Sequence, residues 1–493
     1  MSGASRRDFL KFSGAATLLT AGGAAGAAAG CSRTAPPSPP GGKPDYTLRI
    51  GKGTVELAPD QIVSTVLYNG QFPGPLVRLK EGQRTWVDIY NDTDTPEQLH
   101  WHGQHVGVDV DGAAEEGTPY IPPHGMRSIS FVPGPAGFRF YHTHVVPRAD
   151  LSGGQYSGQV GPVYIEPKQN PGRYDQEIFL TLKEFEPVFS RGGDMASDFL
   201  AGEEDPDLKR TGESAMDASL ARGEPHGYEV SYGAFAVNGR MLGHGEPIRV
   251  QTGQRVLLHV LNGSATETRS LALPGHAFEV IALDGNPVPN PATVPVLWLG
   301  AAERISAVVT MTTRGVWVLG DLSDDDRSHG MGIVVEYAGQ SGEPRWAPPP
   351  AFTWDYRLFA QPHPAPAAPP DRTIDLLIEK RNAADNGFNL WTFNGTPFSM
   401  DRPMLDLSLN KRYRLRFRNA TDDMHPMHLH RHTFEITRFA GTPTSGVRKD
   451  VAMLGGYQSM EVDFVADQPG MSLLHCHQQI HMDYGLMTLL NTK

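Results

Sequence analysis

Near its end the chain reads His475-Cys476-His477-Gln478-Gln479-Ile480-His481, a sulfur flanked by two imidazoles with another imidazole five residues beyond it. Cysteine and histidine at this density form a packet of soft and borderline metal ligands. Three more His-x-His pairs occur: His100/His102, His142/His144 and His428/His430, the last within His425-Pro426-Met427-His428-Leu429-His430. Successive side chains of a β-strand leave on opposite faces, so both imidazoles of such a pair project together. With His475/His477 the four pairs offer eight imidazoles, which can converge if the regions carrying them face each other. Imidazole suits copper, zinc, iron and nickel alike. Cys476 narrows the choice. Lying between two of those histidines, its sulfur must point the other way, where His425 and His481 can complete a two-histidine, one-cysteine set. That is the ligand set of a blue-copper electron-transfer centre. Residues 475–477 would then join both sites through a short covalent path.

The elements that must position these residues show as a long-period repeat. Tyr68-Asn69-Gly70 followed by PLVRLKEGQRTWVDIYND recurs as Val237-Asn238-Gly239 with PIRVQTGQRVLLHVLNGS, and again as Phe393-Asn394-Gly395 with PMLDLSLNKRYRLRFRNAT. Each copy reads as a turn, a strand, a second turn and an alternating strand ending at Asn91, Asn262 or Asn419. Three β-sandwich domains follow. Registering GHAFE at His276 on RHTFE at His432 puts Arg269, Ala272 and Pro274 where the third copy has His425, His428 and His430. Likewise Gly315 to Leu322 keeps the strand of Gly470 to His477 and replaces its ligands with Gly320, Asp321 and Leu322. Histidine pairs arising by chance would not recur at equivalent places in two copies and vanish together from the third.

The expected organisation is a leader and Pro/Gly-rich tether over 1–44, a first domain over 45–170 and a ligand-free second domain over 171–343. A proline-rich extended linker over 344–371 leads to a third domain over 372–493. Between Glu186 and Tyr228 the polar, acidic segment reads as a long surface loop with a short helix. Forty-one prolines and fifty-four glycines beside strand-like runs indicate an all-β, turn-rich protein. A formal charge of −12 leaves no basic face for nucleic acid and favours small neutral or cationic reactants. Ser5-Arg6-Arg7-Asp8-Phe9-Leu10-Lys11 before a charge-free, alanine- and glycine-rich run reads as a twin-arginine export signal, which implies a periplasmic or extracellular protein. Cys31, in Ala28-Ala29-Gly30-Cys31, stands in a lipoprotein-like cleavage box, so lipid anchoring there and plain cleavage nearby both fit.

From its first repeat onward the chain resembles the three-domain multicopper oxidases, the group of laccases, bilirubin oxidases and bacterial cuprous oxidases. HWHG, HTH, HPMHLH and HCHQQIH carry the likeness. The resemblance implies three cupredoxin-like Greek-key β-sandwiches and four copper ions. It assigns type 1 copper to His425, Cys476 and His481, and type 2 copper to His100 and His428. The type 3 pair falls to His102, His142 and His477 on one ion and to His144, His430 and His475 on the other. It implies an enzyme that oxidises a small reducing substrate one electron at a time and reduces dioxygen to water. It also matches Asp111, in Val110-Asp111-Gly112, to an acid the family uses near type 2 copper, although Asp-Gly is equally a turn former.

Two departures stand out. Leu486 occupies the axial type 1 position, ten residues after Cys476, with Met487 one place late, and a non-coordinating axial residue implies a higher potential than methionine. Met482 replaces a glutamate that many bacterial members use in proton delivery, which leaves Asp483 as a candidate. A laccase-like role on phenols or aromatic amines is the leading expectation. Cuprous-ion oxidation is the alternative, weakened because the 186–228 segment holds only Met195 and Met216. A non-catalytic cupredoxin-type copper-binding or scaffold protein is a further reading, against which the complete ligand set stands.

Overall fold

The computed structural model describes residues 42–168, 172–191, 197–363, 368–401 and 404–493. The twin-arginine stretch and Cys31 lie outside the described residues. Each repeat begins with a long strand that pairs in parallel with the alternating strand read from sequence. Tyr46–Ala58 lies beside Thr85–Asn91, Gln176–Ser190 beside Arg255–Asn262, and Arg372–Asp385 beside Arg412–Asn419. A hairpin partner covers the other edge: Gln61–Tyr68, Glu229–Val237 or Phe388–Phe393. The alternating strand buries every second residue, as Thr85, Val87, Ile89 and Asn91 show.

The repeated asparagines explain themselves in this frame. Asn69, Asn238 and Asn394 sit at φ 53°, 51° and 52°, the left-handed region that asparagine tolerates because its amide can bond the nearby backbone. Each accepts from one N–H of the long strand (Arg49, Thr181 or Leu377) and donates to a carbonyl two residues earlier (Thr47, Phe179 or Asp375). Asn91, Asn262 and Asn419 are fully buried and donate to carbonyls of the loops that follow, Thr95 and Ile121, Glu267 and Leu299, Asp423 and Gly455. Thr95 and Asp423 lie in the loops that lead into the ligand-bearing strands of the first and third repeats.

The opposing sheet of each sandwich carries the motifs. His100–His102 pairs antiparallel with Gly137–His142, placing His100 opposite His142. His425–Leu429 pairs with Gly470–Cys476, placing His428 opposite His475 and Met427 opposite Cys476. In the middle repeat Ala272 bridges Gly320, the same junction without ligands.

Two connecting segments differ from expectation. Instead of a loop with a short helix, residues 186–228 continue the strand to Ser190 and then form a sixteen-residue helix, Pro206–Ala221. Asp205 caps it by accepting from the N–H groups of Asp207 and Leu208, with Pro206 in the first turn. Leu208 packs on Ala420 and Tyr457, so an insertion in the second sandwich clasps the third. Nor is the proline-rich connection simply extended: Trp354, Tyr356 and Phe359 are buried around a short 3-10 turn, and Tyr356 donates its hydroxyl proton to Glu303 at 2.5 Å.

Glu97, just ahead of the first ligand strand, is buried, and burial pushes its carboxyl up to about 7 despite a hydrogen bond from Gln159. The fold therefore prefers the protonated acid. Its contribution is full below the unfolded value near 4.5 and is lost as pH rises to about 7. Glu97→Gln should accordingly stabilise the protein more at pH 8 than at pH 5, by on the order of 2–3 kcal/mol. Melting temperatures at the two pH values read this directly, and an equal effect at both would refute the assignment.

Candidate metal centre

The eight paired histidines meet at the seam between the first and third sandwiches, none more than 1% exposed. His102 stacks on His428 with ring centroids 3.8 Å apart, and His100 on His430 at 4.0 Å. His477 lies 5.1 Å from both His102 and His142, while His144 lies 4.9 Å from His430 and 5.3 Å from His475. Strand alternation delivers each pair inward, and the cross-strand register sets the pairs side by side.

Neighbours orient most of these rings by one nitrogen and leave the other facing the cluster. His100 Nδ1 donates to the Asp111 carbonyl, His142 Nδ1 to that of Thr143, His428 Nδ1 to that of Asp450 and His475 Nδ1 to that of Cys476. His430 Nδ1 bonds the Asp111 carboxylate at 2.9 Å. His102 is reversed: its Nε2 is tied to Asp450 at 3.0 Å and its Nδ1 faces His142 Nε2 at 3.4 Å. Backbone and carboxylate partners of this kind fix tautomer and ring orientation in metal sites. Burial first, then repulsion between neighbouring rings, pushes His102, His144, His428 and His477 well below the ordinary imidazole range, and burial with the facing His100 takes His430 down to about 4. Such imidazoles are neutral, with lone pairs free to coordinate. His100 Nε2, His428 Nε2 and both nitrogens of His144 and His477 are buried without a hydrogen-bond partner. Unpaired buried polar atoms are costly, and a metal set held by these nitrogens removes the cost.

Cys476 points to the opposite face. Its Sγ lies 3.6 Å from Nδ1 of His425 and 3.6 Å from Nδ1 of His481, and those two nitrogens are 3.1 Å apart. A short helix, Gln479–Asp483, turns the chain so that His481 returns to the sulfur; Leu486 N–H bonds the His481 carbonyl and Cys476 N–H bonds that of Leu486. Burial drives the thiol far above its usual range in the absence of a cation, and a bound metal reverses that preference. Leu486 shares the buried cluster of Cys476, whereas Met487, opposite His475 in the sheet, packs with Met482, Leu473 and Leu489. Trp391 covers His481 at 3.9 Å and meets His425 edge-on at 5.1 Å.

Carboxylates close the cluster's outer side. Asp111 Oδ2 reaches His100 at 3.1 Å as well as His430, bridging two repeats. Glu116 lies 3.3 Å from His430 Nδ1 and accepts from Leu473 N–H, and Glu115 lies 3.7 Å from His144. Asp483 is fully enclosed, with burial pushing it up to about 7 against bonds from Gln479 and the Arg148 N–H. Sequence reasoning missed Glu115, Glu116 and Asp450. The acids after Asp111 resemble a turn, and the one signal at Asp450 is a charge abutting the apolar run Val451–Leu454, which pairs with His425–Leu429.

Three linked sandwiches with a two-histidine, one-cysteine set backing onto an eight-histidine cluster define a cupredoxin-like metalloprotein. The chain belongs to the multicopper oxidase family, whose models match residues 49–170, 210–332 and 367–493. It is 31% identical to the multicopper oxidase MmcO of Mycobacterium tuberculosis, covering 99% of this chain and 96% of that protein. It is 23% identical to laccase-3 of Thanatephorus cucumeris over 90% and 89% of the two chains. The crystal structure of a multi-copper oxidase from Pseudomonas thermotolerans matches with a TM-score of 0.65 at 25% identity, covering 91% of this chain and 98% of that one. The protein is an oxidoreductase that uses four copper ions, a reducing substrate and dioxygen. Cys476→Ser should abolish the intense blue thiolate absorption while three of the four coppers remain bound. Metal analysis beside the visible spectrum checks this, and a variant that stays blue would exclude Cys476 as a ligand.

Proposed function

We propose that this chain is an exported, laccase-like oxidase that takes electrons from phenols or aromatic amines at type 1 copper held by His425, Cys476 and His481. His100 and His428 hold type 2 copper; His102, His142 and His477 hold one ion of the type 3 pair, and His144, His430 and His475 the other. Bound copper supplies one-electron acceptance at the first set and four-electron reduction of dioxygen to water at the second. The protein's own part is positional. Peptide bonds from Cys476 to His475 and His477 join the two sets, and Asp111, with Glu116 beside it, orients His430 and stands ready to pass protons to the cluster.

One observation carries the choice of substrate. An apolar strip runs from solvent toward the cover of His481: Val188 is 57% and Phe189 36% exposed, Phe189 meets Phe388 at 5.2 Å, and Phe388 stacks on Tyr484 at 4.4 Å. Trp391 N–H then bonds the Tyr484 carbonyl, and its indole lies on His481. Rings of this kind favour aromatic donors by offset and edge contacts. Met482 and Met487, the methionines nearest His481 in the chain, offer no exposed sulfur to a cuprous ion, since both are packed in an apolar cluster separate from Trp391. Arg6-Arg7 supports twin-arginine export to the periplasm or beyond, with Cys31 as the candidate lipid-anchoring residue.

Oxygen uptake by one copper-loaded preparation should be at least tenfold faster with a methoxyphenol than with cuprous ion, and Phe189→Ser should raise KM for the phenol several-fold. A preference for cuprous ion would overturn the substrate reading. Leu486→Met should lower the type 1 potential in a redox titration, because thioether coordination stabilises the oxidised ion. An unchanged potential would show that residue 486 does not face the metal.

A further inference from the structure

We infer that Arg304, from the repeat that carries no metal ligand, is a positioning residue for His102, acting through Asp450. Asp450 Oδ1 holds His102 Nε2 at 3.0 Å, and the Asp450 carbonyl holds His428 Nδ1 at 2.7 Å. Asp450 is in turn gripped by the Arg304 guanidinium in a two-point clasp, Nη1 to Oδ1 at 2.7 Å and Nη2 to Oδ2 at 2.6 Å. Arg139 adds a single contact to Oδ2 at 3.2 Å.

Arg304 also reaches His102 by a second route. Its guanidinium lies 5.5 Å over Phe140, which stacks on His102 at 4.2 Å and on His142 at 4.9 Å. One side chain thus secures the imidazole at its edge through a carboxylate and at its face through a ring. The clasp sits directly on the glycine of the HWHG motif: a Cβ at Gly103 would come within 2.6 Å of Asp450 Oδ2 and 2.8 Å of Arg304 Nη2.

The geometry gives Arg304 a specific task. His102 is the ring whose Nδ1 rather than Nε2 faces its neighbour in the cluster. That choice is enforced by the hydrogen bond from His102 Nε2 to the Asp450 carboxylate, and the two-point clasp of Arg304 keeps that carboxylate in line. Lysine supplies the charge but not the planar two-point fit. The middle repeat, stripped of ligands, thereby still shapes the cluster.

Arg304 also belongs to a buried ionic junction with Arg139, Lys449, Asp284, Glu303 and Asp450, so a merely structural role must be separated from positioning. Copper-loaded Arg304→Lys is compared with Glu303→Gln, which disturbs the same junction at Lys449 without touching Asp450 or a histidine. In Arg304→Lys the blue type 1 absorption should persist. Its type 3 near-ultraviolet band and type 2 electron paramagnetic resonance spectrum should change, and copper retention by the cluster against a chelator should fall 10–100-fold. Glu303→Gln should lower the melting temperature and leave all three spectra and the copper content as in the parent. Four retained coppers with parental type 2 and type 3 spectra in Arg304→Lys would overturn the inference, as would equal spectral changes in Glu303→Gln. Should Arg304→Lys fail to accumulate, Asp450→Asn carries the same test. A blue protein with altered type 3 spectra supports the assignment, and intact cluster spectra refute it.

Discussion

The structure depends on the two-residue period of a β-strand. Between His475 and His477 the backbone must send Cys476 to the other face, so adjacent residues belong to different metal sets, and no hinge or loop can separate them. Everything else is arranged to keep that strand in register. His428 opposite His475 and His100 opposite His142 are cross-strand pairs in two different sandwiches, and a slip of one residue in either would turn its imidazoles away from the seam. Buried Asn91 and Asn419 serve the same end by bonding Thr95 and Asp423 in the loops ahead of the ligand strands.

The second constraint is electrical. Ten histidines and a cysteine are withdrawn from water, and burial holds imidazoles such as His102 and His481 well below their ordinary range. One group of buried charged side chains gathers where three sandwiches meet, and its members match in number: Arg139, Arg304 and Lys449 against Asp284, Glu303 and Asp450. Burial alone would raise the Asp284 carboxyl, but Lys449 and Arg304 hold it below its ordinary range, while Lys449 is held above its own. Buried ion pairs of this sort add little net stability, yet removing one member strands the others. The junction therefore fixes relative placement more than it strengthens the fold.

Much of this was legible in the chain itself. The triple repeat, the ligand pairs and the loss of ligands from the middle copy follow from local spacing, because strand period and turn chemistry are local properties. Asp450 and Arg304 were not legible: one is a single acid ahead of an apolar run and the other an arginine on an ordinary strand, and their meaning arises only when separate repeats pack together. The full length of the helix Pro206–Ala221 is hidden from the sequence for a related reason. Its mean polarity suits a surface loop, and the few residues that dock it, Leu208 above all, find their partners more than two hundred residues away at Ala420 and Tyr457. Likewise Trp354 and Tyr356 were hidden among prolines that suggest extension.

The indole lying over His481 has a consequence for how the protein chooses among donors. Trp391 lies over the His481 ring, so on the proposed assignment a reductant would exchange electrons across packed π-systems without a bond to the metal. Selection would then rest on redox potential and on closeness of approach, and molecules of quite different outline but similar ease of oxidation would become interchangeable. On that reading the cover over His481 would be what makes the enzyme tolerant.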